Sequence, residues 1–151
     1  MTLPLADFVP VWGLLAMNIT SPGPNVLNTM AQASNLKRRV DHPAFTYMYD
    51  TFHAHIEEKS QASAIESVNG SFAHVHISEN DRGTPGTGQV RWDEAFAALK
   101  KTGYDGWLVI EAFGRALPDL AAATRVWRDL FAKPEDVYVN GIEFIKKMWA
   151  K

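Results

Sequence analysis

The residues able to do chemistry in this chain gather at the ends of three apolar runs. Ala44–Tyr49 stops at Asp50. Phe72–Ser78 (FAHVHIS) carries His74 and His76, on one face by strand alternation. Trp107–Ile110 stops at Glu111. Carboxylate and imidazole together offer oxygen and nitrogen donors. Such a mixed set suits Mn²⁺, Mg²⁺ or Co²⁺, and zinc can also take it. All five histidines fall between His42 and His76, which concentrates this chemistry in one stretch. Each residue also has an ordinary reading. An Asp after a strand commonly caps a helix, a buried His commonly sits hydrogen-bonded in a core, and a Glu at a strand end is often simply exposed. Their repetition at equivalent places in successive units is what argues for one shared metal site of Asp50, His76 and Glu111.

For these side chains to meet, the three runs must lie side by side. The spacing predicts strands separated by helices. Glu57–Val68 reads as a helix closed by Asn69-Gly70, and Asp93–Lys101 as a second, with Phe96 and Leu99 on one face and Gly103 as its stop. Leu120–Phe131 and Val137–Trp149 read as two closing helices. Strand–helix alternation with nearly continuous apolar strands predicts an α/β fold of parallel units, whose strand C-termini form the ligand-binding edge. His42 and His55 read as loop and helix-start residues. Glu57 and Glu58 read as the opening of the helix that follows, where carboxylates suit the dipole. The glycine-rich loop Gly83–Gly88 looks superficially like a phosphate cradle, but its glycines do not open a helix directly after a strand.

A length of 151 residues predicts one domain able to bury a core. Apolar and charged fractions of 46% and 21% place it with ordinary globular proteins rather than disordered ones. A formal net charge of -2 supplies no electrostatic footprint for nucleic acid. The absence of cysteine excludes disulfides, a thiolate nucleophile and cysteine-held zinc. No basic segment precedes an apolar one in the manner of a secretory signal, so a cytoplasmic location is expected.

Residues 1–40 differ from residues 41–151. Leu5–Ile19 is apolar but interrupted by Asp7 and Pro10, and it is shorter than a bilayer span. A proline turn, a second apolar stretch at Val26–Ala33 and the basic triplet Lys37-Arg38-Arg39 follow. Through Ser21-Pro22-Gly23-Pro24-Asn25 this opening resembles the N-terminus of lysine/homoserine exporter proteins over about 35 residues. The long apolar helices of such a transporter are absent. A helical N-terminal segment is therefore expected, and a membrane partner is not.

From about Asp41 onward, a more specific resemblance appears. Asp50-Thr51-Phe52-His53, then His74-x-His76-x-x-Glu79-x-x-Arg82, then Ile110-Glu111 occur in order and with fitting spacing. Together they resemble the C-terminal part of the D-tagatose/D-psicose 3-epimerases, members of the xylose-isomerase-like TIM barrels. The resemblance implies a partial TIM barrel of about three C-terminal βα units plus closing helices. It implies that Asp50, His76 and Glu111 are metal ligands, with Mn²⁺ first and Co²⁺ or Mg²⁺ as alternatives. It gives His53 and Arg82 to the oxygens of a sugar substrate, and Glu111 a catalytic role in a ketose 3-epimerisation through a cis-enediolate. A second catalytic glutamate, on the preceding strand in that family, finds no match before Asp41. Position 55 is His where the family motif usually has Asn. A full barrel takes eight βα units, so the resemblance implies an incomplete site in one chain. Association with a second copy or a complementing chain is then expected. Two other readings stand beside this one. The same superfamily includes apurinic endonuclease-like enzymes with an Asp-Thr-x-His motif, against which the net charge argues. A non-catalytic or rearranged fragment is the other.

Overall fold

The structure is a computed structural model that describes residues 26–68 and 71–151. The element order is α1 (Val26–Val40), β1 (Tyr47–Asp50), α2 (Thr51–Glu57), α3 (Gln61–Ser67), β2 (Phe72–Ser78), α4 (Trp92–Lys101), β3 (Trp107–Glu111), α5 (Pro118–Thr124) and α6 (Pro134–Ala150). The three strands form one parallel sheet in the order β1-β2-β3. This is the α/β arrangement of parallel units that the alternation predicts. The apolar run Leu5–Ile19, the turn Ser21–Asn25 and the predicted cap Asn69-Gly70 lie outside the described residues. Among the described residues, no helix is long and apolar enough to cross a membrane.

One face of the sheet is dry. Tyr49, Val75 and Ile77 are fully buried there, against Ile65 of α3, Phe96 and Leu99 of α4, and Ile145 and Met148 of α6. Phe96 and Leu99 share the inward face of α4 as their spacing requires. Helix α6 comes close to β3 because residue 141 is glycine; a Cβ there would stand 2.7 Å from Ile110 Cδ1. The opposite face carries Met48, Asp50, His74, His76 and Trp107. Trp107 is 75% exposed and Met48 40%.

Three predicted boundaries move. The first strand is Tyr47–Asp50, because residues 42–45 form a turn in which Phe45 N–H donates to the His42 carbonyl. The predicted helix Glu57–Val68 begins four residues later, at Gln61 of α3. A separate helix, α2, precedes it: Asp50 caps its start, it runs through His55, and Glu57 ends it with Glu58 as its C-cap. The two glutamates thus close a helix rather than open one. Ser60 then caps α3, its hydroxyl accepting from Ser63 N–H, while Glu94 of α4 accepts from Ser60 Oγ and Ala62 N–H. The predicted helix Leu120–Phe131 stops at Thr124, because Arg125 turns left-handed with φ 60°.

Candidate metal centre

Each donor is set by its own strand end. Asp50 is both the helix cap and the candidate ligand. Its Oδ1 accepts from the Phe52 and His53 backbone N–H groups at 2.9 and 3.1 Å. This leaves Oδ2 free, 3.3 Å from His76 Nδ1. His76 sits opposite Asp50 in the ladder, and Ser78 opposite Glu111. Glu111 Oε2 lies 2.5 Å from His76 Nδ1. One ligand atom from each of the three residues falls within 4.8 Å of the others, all on half-buried groups. The structure thus brings Asp50, His76 and Glu111 together at one edge, as their positions in the sequence predict.

The site asks for a positive charge at its centre. His76 Nδ1 is buried and has no properly directed hydrogen bond, although two carboxylate oxygens face it. Three lone-pair donors pointed at one another repel unless a proton or a cation stands between them. The same demand shows in the imidazole's proton affinity. The carboxylates of Asp50 and then Glu111 raise the His76 pKa to about 9, against the opposing effect of burial. The neighbouring His74, with its ring 5.2 Å away, moves the other way, lowered by burial and by His76. The donor set of two carboxylates and one imidazole fits a divalent cation.

Arg82 extends the site. Its guanidinium donates to Glu111 Oε1 at 2.9 Å. It lies between two rings, 3.9 Å from the Phe52 centroid and 4.7 Å from that of Phe113. Arg82 takes a left-handed φ of 66°, and its carbonyl accepts from Phe113 N–H, so backbone and side chain are both fixed. Burial lowers its pKa, against the pull of Glu111 and Asp50. Its Nε is buried with no hydrogen-bond partner. His53 lies in the first turn of α2, where its backbone N–H donates to Asp50 Oδ1. Its ring meets Phe52 edge-on with centroids 5.0 Å apart.

Two residues escape the sequence reading. Glu79 is fully buried and its carboxylate accepts four N–H groups: Asn80 and Val90 backbone on Oε1, Gly86 backbone and the Trp92 indole on Oε2, at 2.9–3.1 Å. One of these donors, Gly86, belongs to the loop Gly83–Gly88, which is thereby fastened to a carboxylate of the chain itself. Thr51, also fully buried, links β1 to the end of β2. Both sit inside the quoted motifs; what marks them is a carboxylate at the head of a glycine-rich loop and a hydroxyl directly after a ligand.

The family described as "Xylose isomerase-like TIM barrel" matches residues 14–148. A probable ketose 3-epimerase of Synechocystis sp. is 35% identical over 123 residues, covering 82% of this chain and 43% of that protein. A ketose 3-epimerase of Arthrobacter globiformis is 38% identical over 124 residues, covering 81% and 43%. The crystal structure of a D-allulose 3-epimerase from Methylomonas sp. superposes with a TM-score of 0.73 at 33% identity, over 80% of this chain and 43% of that one. The chain thus spans less than half the length of these relatives.

Proposed function

The chain belongs to the xylose isomerase-like TIM-barrel family, and on that premise we propose that it carries part of a divalent-metal site for ketose 3-epimerisation. The observation that carries this reading is the convergence of Asp50, His76 and Glu111 within 4.8 Å at the C-terminal ends of three adjacent strands. The relatives at 35% and 38% identity, a probable ketose 3-epimerase and a ketose 3-epimerase, support it. Asp50 Oδ2, His76 Nδ1 and a Glu111 oxygen would hold the ion, with Mn²⁺ first and Co²⁺ or Mg²⁺ as alternatives. Such an ion would supply Lewis acidity at the site.

The chain's own residues do the rest. Glu111 takes the proton from C3 of the ketose, leaving a cis-enediolate across C2 and C3. Arg82, wedged between Phe52 and Phe113, holds Glu111 by one N–H and keeps Nε for a sugar oxygen. His53 serves a second oxygen from the first turn of α2. Inversion requires a proton delivered to the opposite face of C3. Among the described residues, the cluster supplies Glu111 alone for that chemistry.

The test is Mn²⁺-dependent exchange of the C3 hydrogen in D₂O, followed together with epimerisation. With one carboxylate present, the C3 label exchanges and inversion is slow or absent. Glu111→Gln abolishes exchange. Neither exchange nor turnover in the wild type, with Glu111→Gln indistinguishable from it, reduces the resemblance to ancestry.

A further inference from the structure

Beyond Asp50 the β1–β2 ladder has no backbone left, because the chain turns into α2 at Thr51. Strand β2 continues two residues past His76, to Ser78. The backbone groups of Ser78 that face β1 would be unpaired there, and a buried unpaired amide is costly. The Thr51 hydroxyl takes their place. Its oxygen accepts from Ser78 N–H at 2.8 Å, and its proton goes to the Ser78 carbonyl at 2.8 Å, with the His76 carbonyl 3.1 Å away. Ser78 is in turn the register partner of Glu111. A single fully buried hydroxyl therefore links the strand end that carries Asp50 to the one that carries His76, and through Ser78 to the one that carries Glu111.

We infer that Thr51 is a positioning residue that sets the separation of the three metal donors, by standing in for the missing ladder between Asp50 and Ser78. Thr51 touches neither ion nor sugar. It acts by keeping the β1 and β2 ends from splaying, and donor spacing decides how well one cation can be shared. The inference rests on the metal reading above.

The experiment compares wild type, Thr51→Val and Thr51→Ser by calorimetric titration with Mn²⁺ and by the visible absorption of bound Co²⁺. Valine keeps the shape and removes both hydrogen bonds; serine keeps the hydroxyl. Thr51→Val is expected to bind Mn²⁺ about 10–100-fold more weakly, as for other outer positions of metal sites, with an altered Co²⁺ band. Thr51→Ser is expected to restore both. A Thr51→Val protein that is less heat-stable yet binds metal like wild type overturns the inference, because a merely structural role predicts that result. Should Thr51→Val fail to fold, Thr51→Ala is read in its place, and failure of both to fold also overturns it. A wild type that binds neither ion refutes the metal reading itself, an outcome distinct from normal binding by the variants.

Discussion

His76 is held by two carboxylates in the metal-free protein, and a proton is what keeps that arrangement favourable. Its pKa is raised from the ordinary histidine value of 6.5 to about 9. The stabilisation is therefore fully present below pH 6.5 and is lost as the pH rises through about 9. A divalent ion must displace the same proton. Apparent Mn²⁺ affinity should then climb about tenfold per pH unit up to pH 9 and level off above it, which titration calorimetry at several pH values measures. A flat profile would mean that His76 is not a ligand. These donors were legible in the sequence because each closes an apolar run. The helix that Asp50 caps was not legible, since the expected helix began at Glu57; the cap is the device that orients the residue: one oxygen is tied to α2, and the other is turned toward His76. Thr51 and Glu79 stayed hidden, because hydrogen bonding to distant backbone leaves no periodic trace.

The loop after β2 is held by Glu79, so its shape depends on one carboxylate accepting four N–H groups. Glutamine supplies only one acceptor oxygen and turns an amide NH₂ toward donors. Glu79→Gln should cost about 2–4 kcal/mol, as buried donors lose their partners. Chemical denaturation checks this, and a cost under 0.5 kcal/mol would discount the four bonds. A second element-level test lies at the entry to β3. A Cβ at Gly106 would collide with the Ala73 backbone carbonyl, and backbone cannot step aside as a side chain can. Gly106→Ala should lower stability by about 1–3 kcal/mol, read as a drop in Tm. At this scale the sequence was a partial guide. Phe72–Ser78 was read at its true limits, because the run is apolar and bounded. Helix α2 was missed because the carboxylate that caps it was read as a ligand, and the start of α3 was placed early because its cap, Ser60, is fixed by tertiary contact with Glu94. The end of α5 was missed because Arg125, not glycine, takes the left-handed turn.

At the scale of the molecule, described helices α3, α4 and α6 pack on one face of a parallel sheet, and the donors sit on the other. Parallel sheets are almost always covered on both faces, and large exposed aromatics beside a sheet mark contact surfaces. Among the described residues, Trp107 on the donor-bearing face, and Tyr138, Val139 and Ile142 along α6, are exposed. Association of this chain in solution follows as an expected outcome. Light scattering should give a mass above that of one chain, and Trp107→Lys should return it toward the monomer value. A strictly monomeric wild type would mean that these exposed side chains are not a contact between copies of the chain. The α/β class and the likeness to the C-terminal part of a barrel were legible through ordered motifs. How the uncovered face is closed was not, because a covering surface leaves its pattern in the chain that supplies it.

The carboxylate inside the loop also bears on timing. A loop fastened to its own buried carboxylate has its final shape before any ligand arrives, so Arg82 waits in place rather than being recruited. Encounter and capture then merge into one event, and progress curves for ligand association should be single-exponential, with no lag from loop ordering.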